Sequence, residues 1–119
     1  MKVTHYRELI VWTKSIELVT EIYKTTALFP KHELYGLTAQ LRRAAVSIPS
    51  NIAEGQGRQS TGEFIQFLGH ARGSLYEVET QVIVAIEIGL LEKPTGSRLL
   101  DRTTEISRIL RGLERSLRS

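Results

Sequence analysis

The sequence predicts an all-α fold, an up-down-up-down antiparallel four-helix bundle, and three observations carry the prediction. Four segments repeat their apolar residues at the three-and-four spacing of an amphipathic helix. The connections between them are short, which makes sequential helices antiparallel neighbours. No stretch of any length alternates at the two-residue period of a half-buried strand.

The first helix is expected over residues 9–28. Leu9, Trp12, Ile16, Val19 and Tyr23 form one apolar stripe, and Val11, Leu18 and Ile22 form a second, so burial on more than one side is expected. "FPKHELYG", with Pro30 and Gly36, breaks the pattern. The second helix carries Leu37, Leu41, Ala44, Ala45, Ile48 and Ile52, and ends near "EGQG", where two glycines would supply the left-handed conformations a helix terminus favours. "STGE" at residues 60–63 is a capping box that opens the third helix. That helix places Phe64, Leu68, Ala71, Leu75, Val78, Val82 and Ala85 on one face, is apolar nearly all round in its second half, and ends near Gly89. After "EKPTGS", Leu99, Thr103, Ile106, Leu110, Leu113 and Leu117 make the stripe of the fourth helix.

A chain of 119 residues suits one domain, expected over 1–119, with 41% hydrophobic and 24% charged residues in ordinary globular proportion. It has no cysteine, which excludes disulfides, thiol catalysis and Cys-ligated metal sites and fits a cytoplasmic address. "MKVTHYREL" lacks the apolar core of a secretory signal, and the longest apolar run, residues 82–91, contains Glu87 and is half the length of a membrane span. A soluble protein is expected. The net charge of +3 permits an anionic partner without demanding one.

Residues 29–81, "FPKHELYGLTAQLRRAAVSIPSNIAEGQGRQSTGEFIQFLGHARGSLYEVETQ", resemble the central signature of the bacterial four-helix-bundle proteins named after 23S rRNA intervening sequences, also called the S23 family. "VWTKSIELVTEIY", residues 11–23, is a second recognisable piece, so the resemblance covers nearly the whole chain. It implies a homo-oligomeric, pentameric bundle. More distantly the chain is similar to the accessory protein of diversity-generating retroelements, a basic pentamer that binds nucleic acid. The family name records where some of its genes sit; neither a settled activity nor a ribosomal role follows from it.

Pro49 interrupts the second helix where proline usually breaks one, and it is read here as a kink within a continuous helix. Beside the core stripe runs a polar one: Gln40, Arg43, Ser47, Ser50 with Asn51, Glu54 and Arg58. Counting outward from the turn sets Arg43 level with Glu77, Ser47 near His70 and Ser74, and Asn51 near Phe67. A structural hydrogen-bond network of Arg43, Ser47, Asn51, Glu54 and Glu77 around Pro49 is expected, with Asn51 buried and Arg43 paired to Glu77. A ligand contact or a catalytic site on Ser47, Asn51, Glu54 and Glu77 is the other reading of the same residues.

No catalytic residue, cofactor or metal is expected. "EGQGR" lacks the glycine-rich phosphate motifs and reads as a turn. None of His5, His32 and His70 has the Glu three residues earlier that a di-metal bundle uses. No Ser-His-Asp spacing suggests a triad.

The basic feature is the fourth helix, where Arg108, Arg111, Arg115 and Arg118 fall on one stripe opposite the leucines. On a single chain it reads as a solvated face suited to the helix dipole. A pentamer would repeat it around a ring of roughly +15 charge, a footprint for phosphate backbones to which Arg58 could add. The expected function is therefore a non-enzymatic oligomer that binds nucleic acid, RNA before DNA. A ring recruiting a protein partner and an enzyme using the polar stripe are the alternatives; no membrane partner is expected.

Overall fold

The computed structural model describes residues 5–118. Residues 1–4, where the segment expected to carry no secretory signal begins, and residue 119 lie outside the described residues. Four α-helices follow one another: α1 over Ile10–Thr26, α2 over Leu37–Gln56, α3 over Thr61–Glu87 and α4 over Lys93–Arg118. Single 3-10 turns, Tyr6–Glu8 and Lys31–Glu33, precede α1 and α2, and no strand occurs among the described residues. Each helix packs on its sequence neighbours and α4 closes on α1, whereas α1 and α3, and α2 and α4, sit diagonally across the bundle. The result is the expected antiparallel four-helix bundle, 44 Å along its longest axis. No helix among the described residues is long and apolar enough to cross a membrane.

Leu41, Ala45, Ile48 and Ile52 of α2, Leu68, Leu75, Val78 and Val82 of α3, and Leu99, Ile106 and Leu110 of α4 fill the centre. From α1 the core takes Val11, Leu18 and Ile22, with Ser15 buried among them and its hydroxyl donating to the Val11 carbonyl. The other stripe of α1 differs from expectation. Trp12 and Val19 are half-buried, and Ile16 and Tyr23 are exposed, because this stripe faces away from the bundle centre and is covered in part only, at Trp12 by the Tyr6 ring 5.2 Å away.

The helix ends depart from the sequence reading in two places. Gly55 lies inside α2 and Gly57 caps it at φ −79°, so neither supplies a left-handed residue. Gly55 is required by proximity instead: a Cβ there would come within 2.6 Å of the Phe67 Cβ on α3. The left-handed residue is Gly89, at φ +81°, after α3. Its N–H donates to the Ile86 carbonyl and that of Leu90 to the Ala85 carbonyl, the paired bonds of a Schellman motif. "EKPTGS" is not all connection, since α4 starts at Lys93. Pro94 suits a first helical turn, where its missing N–H has no partner to lose. Gly96 there lets α4 press against Ile86. Of the capping box read at α3, one half forms: Ser60 Oγ accepts from the Glu63 N–H at 3.1 Å, while the Glu63 carboxylate takes the Ser60 hydroxyl at 3.1 Å instead of its N–H.

Candidate functional site

Two regions bear the residues that sequence singles out. The first is the seam between α2 and α3. α2 runs unbroken through Pro49, which is buried. Proline cannot supply the N–H that would bond the Ala45 carbonyl, and the nearby amide does not replace it: Asn51 Nδ2 donates to the Ser47 carbonyl at 2.8 Å and to Ser47 Oγ at 3.0 Å. Ser74 Oγ donates to the same Ser47 Oγ at 3.0 Å, tying α3 to α2. Ser47 meets Ser74 as counted, but His70 turns its ring edge-on to Phe67, 5.6 Å away.

The remainder of the expected network does not assemble in the single chain. Asn51 is half-buried, not buried, and Glu54 is exposed and pairs with Arg58 at 2.7 Å on its own helix. Arg43 and Glu77 are exposed and line one cleft of about 360 Å³ with Gln40, Ser47 and Gln81, yet no ion pair joins them. Ser47 therefore accepts two hydrogen bonds within a side-chain cluster, and no histidine or carboxylate touches its hydroxyl. No group of three or more metal-ligating side chains occurs among the described residues.

The second region is the outer face of α4 with the flank of α3. Arg108, Arg111, Arg115 and Arg118 are all exposed. Glu105 and Arg102 turn towards α1 instead, pairing with Lys14 at 3.6 Å and with Glu17 and Glu21 at 3.3 and 3.0 Å. The first contact draws the Glu105 carboxylate towards α1 and away from the arginine row. Arg111 Nη2 donates to the Tyr76 hydroxyl on α3 at 2.6 Å. Arg58, by contrast, is engaged twice, by Glu54 and by the Phe67 ring beneath its guanidinium at 4.6 Å, so it contributes less charge to that face than expected.

Two features escaped the sequence reading. Arg72 grips Glu114 with two hydrogen bonds of 3.1 and 2.9 Å, and the Glu114 side chain is only 5% exposed. Its signal was positional, since Glu114 falls four residues after the core Leu110, and Arg72 four after Leu68. Tyr76 is the second, an aromatic beside the basic row. Its partner on α4 could be found only once the register of α3 against α4 was known.

The family model described as 23S rRNA-intervening sequence protein matches residues 7–112. A crystal structure at 1.70 Å of a protein with unknown function from the S23 ribosomal protein family of Bacteroides thetaiotaomicron VPI-5482 is similar to this chain, with a TM-score of 0.80 and 25% identity. The similarity covers 88% of this chain and 98% of that one. No curated protein matches. With nearly its whole length matched and the same bundle, the chain belongs to the family of 23S rRNA-intervening sequence proteins.

Proposed function

We propose that the protein is a non-enzymatic, cytoplasmic homopentamer that binds nucleic acid, RNA before DNA, through the arginine row of α4. The observation that carries the reading is the row itself: Arg108, Arg111, Arg115 and Arg118 stand exposed along one face, while of the three acidic side chains of α4 Glu105 is turned to α1, Glu114 is buried against Arg72 and Asp101, about two turns before Arg108, is exposed. Phosphate backbones are the polyanions such a row suits. The distant resemblance to the retroelement accessory protein points the same way.

Self-association is supported by apolar surface left open in the single chain. Trp12, Ile16 and Val19 of α1 and Val46, Pro49 and Ala53 of α2 line a groove of about 330 Å³. Ile83, Val84 and Ile88, at the end of α3, are exposed elsewhere on the bundle. A groove on one face and an apolar ridge on another favour head-to-tail contacts, the kind that generates a ring when the rotation between copies closes.

The test is electrophoretic-mobility titration of the native oligomer with RNA and DNA at two salt concentrations. Binding should fall steeply with salt, each phosphate contact contributing about 0.9 to the logarithmic slope on duplex DNA. Replacing Arg108, Arg111 and Arg115 together by Gln should abolish binding while leaving the fold intact, as followed by the circular-dichroism spectrum. If the wild-type oligomer binds neither polymer at low salt, the reading fails and an oligomeric protein-interaction scaffold takes its place.

A further inference from the structure

Among the aromatic side chains that the structure places beside an arginine, Tyr76 is held differently. Arg42 lies over the ring of Tyr23 at 4.5 Å and Arg58 over that of Phe67 at 4.6 Å, so those faces are covered. Arg111 instead meets Tyr76 at the rim, donating to its hydroxyl, and no other ring or cation among the described residues stacks on it. The side chain is 39% exposed and lies in the span of the arginine row. Behind it Arg72 is already neutralised by Glu114, so the cation that meets the ring directly is Arg111, with Arg108 exposed one turn away on the same helix. The hydroxyl accepts from Arg111, which leaves its own O–H to donate outward.

A uniform cationic stripe attracts any phosphate backbone. An aromatic face set into that stripe adds a preference, because only an unpaired base can lay its face on a protein ring; in a duplex both faces of each base are covered by the neighbouring pairs. Resting on the nucleic-acid reading above, we propose that Tyr76 and Arg111 form a single-strand site, in which a base stacks on the Tyr76 ring while Arg111 holds an adjacent phosphate. The hydrogen bond between them fixes the ring before the strand arrives, so little side-chain freedom is lost on binding. Selection is for unpaired bases, with little regard to which base, since every base offers a π-face.

Fluorescence anisotropy of the native protein with a labelled 20-nucleotide mixed-sequence RNA, its DNA counterpart, and each annealed to its complement tests this. The wild type should bind both single strands roughly tenfold or more tighter than the duplexes. Tyr76→Leu should lose roughly 5- to 100-fold in single-strand affinity, the effect of one stacked base, with duplex affinity and the salt slope unchanged. Tyr76→Phe should stay within about threefold of the wild type, which separates stacking from loss of the hydroxyl and serves as the control should the leucine variant misfold. Arg111→Gln should lower the salt slope on all four probes by about one. Equal binding of single and double strands, or full single-strand affinity in Tyr76→Leu, overturns the single-strand site and leaves the nucleic-acid reading standing. Failure to bind any of the four overturns both.

Discussion

Glu114 is a carboxylate in a place where the sequence asks for a leucine, and it is tolerated because Arg72 reaches across from α3 to satisfy both its oxygens. Such a pair adds little compared with an apolar core, but breaking it strands a charge, at a cost of about 3 to 5 kcal/mol. Arg72→Ala should therefore lower the melting temperature by roughly 10 °C or more, followed by circular dichroism. Arg43→Ala removes an exposed side chain with no ion-pair partner among the described residues and should stay within about 0.5 kcal/mol of the wild type. A larger shift in Arg43→Ala than in Arg72→Ala would mean that Arg43, not Arg72, occupies the position the fold depends on. Neither charge belongs to the core stripes read from the sequence, although each falls four residues after a core leucine, Leu68 or Leu110. Their pairing was not legible, because it depends on how α3 and α4 slide against each other over 42 residues of separation. The same uncertainty of register paired Arg43 with Glu77 on paper and left them apart in the cleft.

The periodicity of apolar residues placed all four helices, since burying one stripe per helix is what holds the bundle together. Their ends were less legible, because glycine and proline serve packing as readily as termination. "EGQG" offers two glycines that look alike in sequence; Gly55 lets α2 approach α3, whereas at Gly57, on the cap, a Cβ would meet only the Ala53 and Glu54 carbonyls within 4 Å. Gly55→Ala should thus overpack against Phe67 and Phe64 and destabilise by about 1 to 3 kcal/mol. Gly57→Ala, in a backbone conformation alanine adopts freely, should be neutral or stabilising by up to about 1 kcal/mol. Urea denaturation of both variants decides it. A Gly57 variant weaker than the Gly55 variant would restore the terminus reading of the loop.

At the scale of the whole molecule, the α1 stripe through Trp12, Ile16 and Val19 and the far half of α3 share one cause: each carries more apolar surface than a lone four-helix bundle can cover. The sequence disclosed this excess but not its location, which depends on α1 and α3 lying diagonally across the bundle with different outer faces. If the groove of one copy takes the α3 ridge of the next, a charge placed on either surface should stop assembly, so Val46→Glu and Val84→Glu should each sediment as monomers at micromolar concentration. The mixture is the sharper test. The Val46 variant keeps an intact ridge and the Val84 variant an intact groove, so one sound interface forms between them, and the surfaces left at the two ends are both spoiled. An equimolar mixture should therefore sediment as a heterodimer and grow no further, whereas the wild type should sediment as a closed ring. A groove that paired with another groove would behave otherwise: the Val84 variant would assemble by itself, and the mixture would contain its homo-oligomers beside monomers of the Val46 variant. Sedimentation velocity on the two variants, alone and mixed, separates these outcomes without any ligand, and a stable monomer in the wild type would remove the ring on which the repeated arginine face depends.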